Sequence, residues 1–141
     1  DLDRKNEWYL EKVAEMNQSH LLEGVTRFFE QCQLHQIPLG LGSASKNARL
    51  VLEKVGLINA FQAIVDASTV VNGKPHPETF LKAAELLGYE PENCIVFEDS
   101  SSGVTAAKSA KMFAVGIGKT EDLPLADYCI PNLGEFDFSN I

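Results

Sequence analysis

No apolar run in this sequence approaches the roughly 20 residues needed to cross a bilayer, so no transmembrane helix is expected. The opening Asp1-Leu2-Asp3-Arg4-Lys5 lacks an apolar h-region and does not read as a signal peptide. It also lacks an initiating Met, and the expectation is a chain that begins partway into a longer protein. Positive charge is scarce: 12 Lys and Arg stand against 20 Asp and Glu, for a net charge of -8. That balance disfavours unspecific affinity for nucleic acid or an anionic membrane surface, while leaving room for a local basic pocket that takes a small phosphate. Cysteine is sparse too. Cys32, Cys94 and Cys129 form no close pair, and each sits in an apolar run, which reads as buried thiols in a reducing compartment such as the cytoplasm. His20, His35 and His76 are scattered and have no zinc spacing. There is no internal repeat and no low-complexity stretch.

What remains is an ordinary globular composition, 45% hydrophobic and 23% charged over 141 residues, enough for one domain with a real core. Helical and extended patterns alternate. Residues 3–17 read as a first, mostly polar helix with Trp8, Leu10 and Val13 as its apolar positions. Val25, Phe28, Phe29 and Cys32 fall at i, i+3, i+4 and i+7 and predict an amphipathic helix over 24–35. Residues 37–42 predict a buried strand, 47–55 a helix stopped by Gly56, and 63–65 a second strand. The Asn72-Gly73-Lys74-Pro75-His76-Pro77 segment is a loop, with Pro77 suited to the first turn of a helix that ends at Gly88. Strands follow at 94–97 and 113–117, with a small-residue helix at about 102–110 between them and a short fifth strand at 128–130. Phe136 and Phe138 are expected to pack in a closing surface segment. Near-continuous apolar strands separated by helices predict a parallel sheet covered on both faces, with ligands at the carboxyl ends of its strands.

Three strand ends carry polar residues. In Phe97-Glu98-Asp99-Ser100-Ser101-Ser102-Gly103, two carboxylates follow a buried strand, and hydroxyls and a glycine open a helix. Hard cations such as Mg²⁺ take one or two carboxylates with water and substrate phosphate. A helix cap by Asp99 or Ser100 is the competing reading, though it leaves the charge of Glu98 beside an apolar strand uncompensated. In Gly42-Ser43-Ala44-Ser45-Lys46-Asn47, hydroxyls, amides and a helix start form an anion cradle, or simply a Ser cap with a solvated Lys. Lys74, between Gly73 and Pro75, is either aimed at a phosphate or carboxylate cluster or exposed in its loop. In chain order, the three features can face one rim of one sheet. A phosphoryl group in transfer needs both a cation and positioned donors.

The ordered strings Gly42-Ser43-Ala44-Ser45-Lys46-Asn47, Gly73-Lys74-Pro75-x-Pro77 and Phe97-Glu98-Asp99-Ser100-x-x-Gly103 together resemble the haloacid-dehalogenase superfamily. More narrowly they resemble its β-phosphoglucomutase-like branch, with Arg4-Lys5-Asn6 and the strand Phe113-Ala114-Val115-Gly116-Ile117-Gly118 also fitting. The resemblance implies an α/β, Rossmann-like core over 21–141, with residues 1–20 as a helix returning from a cap domain. It implies that Ser43 bonds the transferring phosphoryl group and Lys74 neutralises it. Glu98 and Asp99 would hold Mg²⁺, partly through water. Ala44, Ser45, Lys46 and Asn47 would contact a small phosphorylated sugar, and Lys5 would reach it from the cap side. For the intact parent it implies a mutase that interconverts β-glucose 1-phosphate and glucose 6-phosphate through a phospho-aspartate. A sugar-phosphate phosphatase of the same fold is the alternative, and a non-catalytic Mg²⁺ and phosphate-binding piece is the third reading.

The pattern departs from the family at one place. The family opens on a strand ending in Asp-x-Asp, whose first Asp is the nucleophile. Asp1-Leu2-Asp3 has that spelling without a preceding apolar strand. The expectation is therefore a sheet lacking its first, central strand, between 37–42 and 94–97, and an inactive chain completed by an N-terminal segment or another subunit. Left open, such a slot would leave unpaired backbone groups and a poorly stable fold.

Overall fold

The computed structural model describes residues 7–10, 24–43, 46–54 and 56–140. Its centre is a six-stranded, all-parallel sheet. In chain order the elements are β1 (Glu7–Leu10), α1 (Gly24–Leu34), β2 (Leu39–Gly42), α2 (Ala48–Lys54), β3 (Ala63–Val65), α3 (Glu78–Leu87), β4 (Cys94–Glu98), α4 (Ser101–Ser109), β5 (Phe113–Ile117) and β6 (Tyr128–Ile130). The strands lie in the order β3-β2-β1-β4-β5-β6. Among the described residues no helix is long and apolar enough to cross a membrane.

The alternation of side chains along β2 to β6 splits the interior into two layers. Leu39 and Leu41 of β2, Ile95 and Phe97 of β4 and Val115 of β5 pack against Val25, Phe28 and Cys32 of α1 and against Ala48 and Leu52 of α2. Cys94 and Val96 of β4 and Ala114 of β5 point the other way, onto Phe80, Ala83 and Ala84 of α3 and onto Val104, Ala106 and Ala107 of α4. Phe28 is central to the first layer, in edge contact with Phe97 at 5.0 Å and Phe136 at 6.2 Å. Phe138 closes the same cluster, 5.4 Å from Phe28, as the C-terminal pattern predicts. Full burial of such a ring contributes about 1.5–3 kcal/mol. Cys32 and Cys94 are buried free thiols and Cys129 is half-buried. Burial pushes the Cys32 thiol well above its usual range, so it stays protonated and inert.

All five expected strands and all the later helices occur within a few residues of their predicted bounds. Gly88, in the left-handed conformation at φ 82°, ends α3 by donating to Ala84 and Glu85. The correction is at the start. Glu7–Leu10, expected within a helix over 3–17, is a strand, and it fills the central position expected to be empty. Trp8 and Tyr9 pair with Leu39 and Gly40 of β2, while Glu7 to Leu10 pair with Cys94 to Phe97 of β4. The physical reason is tertiary: two parallel strands left apart would each bury an unpaired row of N–H and C=O groups, and a four-residue segment satisfies both rows. The rest of the expected return helix over 1–20 lies outside the described residues.

Candidate functional site

Parallel strands bring every carboxyl end to one rim, and β1 is where the chain's connections diverge to either side. The buried polar side chains among the described residues gather at that rim. Ser43 follows β2, Asp66 follows β3, Glu98 ends β4, and Thr79 lies in the first turn of α3. The remaining described interior is apolar.

Glu98 is fully buried. It continues the Cys94 and Val96 side of β4 and so points toward α3 and α4. Its Oε1 accepts from the amides of Asp99 and Ser100 at 3.1 and 3.2 Å and from Ser100 Oγ at 3.0 Å. Its Oε2 lies 3.1 Å from Lys74 Nζ. Ser100 is also the N-cap of α4, accepting from Gly103 N at 3.0 Å. The cap reading therefore holds for Ser100, and the charge of Glu98, which a cap leaves uncompensated, is matched by Lys74. Asp99 is exposed.

Lys74 is not a solvated loop lysine. Its side chain is 8% exposed, its ammonium donates to Glu98 Oε2 and to Gly42 O at 3.3 Å, and it lies 4.8 Å from the centre of the Phe80 ring. The Lys74–Pro75 peptide is cis. One cation thus ties the ends of β2 and β4 to the loop after β3. Ser43 is buried beside it and donates its amide to Val65 O at 2.8 Å. Gly42 has no room for a side chain, since a β-carbon would stand 2.8 Å from Thr79 Cγ2.

Lys46 and Asn47 are exposed just before α2. Lys5, Ala44 and Ser45 lie outside the described residues. The structure therefore brings Ser43, Lys74, Glu98 and Asp99 to one rim, with Lys46 and Asn47 on the same crossover from β2. His76, read as a loop residue, is exposed and accepts at Nδ1 from Glu78 N.

Two residues at this rim escaped the sequence reading. Asp66 accepts from Ser68 N and Oγ at 2.9 and 2.5 Å, turning the chain after β3. Glu78 accepts from the amides of Val71 and Asn72, both at 2.9 Å. Each carried a local signal: an Asp-x-Ser spacing after a strand for the first, and an acidic residue in a helix's first turn for the second.

Mg²⁺ can be tested against these donors. Among the described residues no group of three or more His, Cys, Asp and Glu is placed to hold a metal. Both oxygens of Glu98 already accept hydrogen bonds, which suits a role behind the ion rather than on it. Asp99 is the exposed carboxylate, and Mg²⁺ commonly binds through one carboxylate with water and substrate phosphate. The donor set fits that limited mode.

The family model for haloacid dehalogenase-like hydrolases matches residues 3–111. A β-phosphoglucomutase from Bacillus subtilis (strain 168) is 39% identical over 129 residues, which is 92% of this chain and 57% of that protein. Validoxylamine A 7'-phosphate phosphatase from Streptomyces hygroscopicus subsp. limoneus is 32% identical over 134 residues, 92% of this chain and 63% of that one. The crystal structure of a β-phosphoglucomutase from Clostridium difficile superposes with a TM-score of 0.82 at 39% identity, over 89% of this chain and 56% of that chain. This chain thus spans a little over half the length of these three proteins.

Proposed function

Because this chain belongs to the haloacid dehalogenase-like hydrolase family, we propose that its rim handles the phosphoryl group of a small sugar phosphate, in an intact protein that is a phosphosugar mutase. The observation that carries the reading is the buried Lys74 ammonium, held 3.1 Å from Glu98 at the strand ends beside Ser43. A fixed cation in a water-poor site offsets charge that develops on a transferring phosphoryl group, and it needs no reorganisation to do so. Glu98 keeps Lys74 aimed. Ser43 donates its hydroxyl to a phosphoryl oxygen. Lys46 and Asn47, with Ala44, Ser45 and Lys5, contact the sugar phosphate.

Mg²⁺, when bound, would supply further charge neutralisation on the phosphoryl oxygens, with Asp99 as its protein ligand and Glu98 behind it. None of the four described rim carboxylates is suited to accept the phosphoryl group: Glu98 is buried and saturated with donors, Asp99 is committed to the ion, and Asp66 and Glu78 are engaged by the backbone of the loop between β3 and α3. The acceptor aspartate is supplied by an N-terminal segment or another subunit, and the chain taken alone is inactive.

The preferred reaction is interconversion of β-glucose 1-phosphate and glucose 6-phosphate through a phospho-aspartate and a bisphosphate intermediate. The likeness to the B. subtilis and C. difficile β-phosphoglucomutases favours it. The likeness to a phosphatase supports the second reading, in which water rather than a sugar hydroxyl attacks the phospho-enzyme. The test is incubation of the full-length protein with β-glucose 1-phosphate and Mg²⁺. Glucose 6-phosphate is the expected product, and inorganic phosphate without it would replace the mutase reading by the hydrolase one.

A further inference from the structure

We propose that Glu78 is the positioning residue that holds Lys74 in place, by clamping the backbone of the loop that carries it. This rests on the reading of Lys74 as the phosphoryl-binding cation, but its structural basis is separate. Twelve residues, 66 to 77, connect β3 to α3, and they contain no regular element that would fix Lys74 by itself. A long side chain on such a connection loses considerable rotamer and backbone freedom when it is confined to one geometry. Something must hold the loop before the ammonium reaches Glu98.

The bonds divide into two sets. Near β3, Asp66 takes Ser68 N and Oγ on its carboxylate and Thr69 N and Oγ1 on its carbonyl, and Lys82 Nζ donates to Thr69 O. These fix the first turn but stop five residues short of Lys74. The second set starts from Glu78. One oxygen takes Val71 N at 2.9 Å, and the other takes Asn72 N at 2.9 Å and Asn72 Nδ2 at 3.2 Å. His76 N then donates to Gly73 O at 3.0 Å, and Glu78 N to His76 Nδ1 at 3.1 Å. Lys74 sits inside the closed loop these bonds form, between the clamped amides and the helix that bears the clamp. Because Glu78 is in the first turn of α3, its base is rigid and the helix dipole favours its charge. Phe80, two residues on, is the ring beneath the Lys74 ammonium, so one helix supplies both the clamp and the floor.

A carboxylate is required because amides arrive at both oxygens. In Glu78→Gln one oxygen becomes an NH₂ group, which faces an N–H donor and cannot accept from it. Glu78→Asp keeps both acceptors one methylene short.

The experiment measures the rate at which an amine-acylating reagent modifies Lys74, read by peptide mass spectrometry on the intact chain. Exposed Lys54 and Lys119 serve as references, and buried Cys32 reports global opening. The expected result in Glu78→Gln is Lys74 labelling faster by about fivefold or more through local opening, with Cys32 still protected from thiol reagents. Glu78→Asp is expected to restore part of the protection. Unchanged Lys74 labelling in Glu78→Gln overturns the proposal. So does a parallel rise at Lys74 and Cys32, which would make Glu78 a prop of the whole fold. Inorganic phosphate with Mg²⁺ is added in a second arm. If it leaves wild-type Lys74 labelling unchanged while Glu78→Gln still accelerates it, the clamp stands and the phosphoryl reading of the rim falls.

Discussion

A β-carbon on Gly103 would stand 1.9 Å from Cδ of Glu98, so the buried carboxylate occupies the volume that any larger residue in the first turns of α4 would fill. The glycine is there for space, which ties the two ends of the Phe97-to-Gly103 segment into one device. Ser100 turns the chain and caps α4, Gly103 leaves the room, and Glu98 fills it with a charge facing Lys74. Gly103→Ala cannot be absorbed by a flexible tip, because the clash reaches Cγ and Cδ of a fully buried side chain. Overpacking of this kind costs about 1–3 kcal/mol. The expected outcome is a lower urea midpoint at unchanged m-value, together with faster acylation of Lys74 as Glu98 is pushed off its partner. Full stability in Gly103→Ala would mean that the helix shifts without effort.

The Lys74–Glu98 pair makes a different demand. Removing one partner leaves the other charge buried, which typically costs about 3–5 kcal/mol, whereas replacing both with neutral groups of similar size is far less harmful. Lys74→Met and Glu98→Gln are therefore each expected to destabilise the fold. The double variant is expected to be more stable than the two single losses would sum to. Glu98→Gln should be the worse of the two, since in Lys74→Met the carboxylate keeps the amides of Asp99 and Ser100 and the Ser100 hydroxyl. Urea melts of the four proteins give the coupling directly, and strict additivity would count against a pair that matters to stability.

Much of this rim was legible from residue types at strand ends. The strands other than β1 are short apolar runs punctuated by Gly, Pro or polar residues, and Pro77 and Gly88 bracket α3. Ser43, Lys74 and Glu98 stood out because hydroxyl, cation and carboxylate follow buried segments in chain order. The division of labour between Glu98 and Asp99 was less visible. Glu98 is the last residue of β4 and is buried on Lys74, while Asp99 lies just past the strand end and is exposed, and the partner that decides this is 24 residues away. The strand at Glu7–Leu10 was not legible at all. Leu10 and Val13 are three apart in a mostly polar stretch, as on one face of a helix, and what makes Glu7–Leu10 extended is the unpaired backbone of β2 and β4 on either side.

The clamp on the Lys74 loop carries its own pH dependence. Backbone bonds from Val71 and then Asn72 hold the Glu78 carboxyl below its usual range, slight burial opposes them, and the Asn72 side chain and Lys82 add to the lowering. A carboxylate whose folded value is depressed contributes stability that is fully present above the ordinary value near 4.5 and is lost as pH falls through the lowered one. The loop should therefore stay closed from neutral pH down past the point where free glutamates protonate. An NMR titration checks this. The Val71 and Asn72 amide shifts should move together with the Glu78 carboxyl carbon, at a common midpoint below 4.5. A midpoint at or above that value would show that the amides do not favour the charged form.

A single substitution tests the placement of β1 at the centre of the sheet. Tyr9 lies opposite Gly40 on one side and Val96 on the other, so its backbone sits within two ladders at once. Proline there removes an N–H, leaves its partner carbonyl unpaired, and crowds the neighbouring strand. Each buried group left unsatisfied costs about 1–3 kcal/mol, and in the middle of a sheet the penalty is not relieved by solvent. Tyr9→Pro is expected to lower the urea midpoint sharply, while Tyr9→Val, which keeps both ladders and a strand-favouring side chain, should have a much smaller effect. Trp8, the single tryptophan and a neighbour on the same strand, provides the fluorescence signal for both melts. If Tyr9→Pro melts like the parent, then Glu7–Leu10 does not bridge β2 and β4, and the central position is open to the upstream strand that the family pattern calls for.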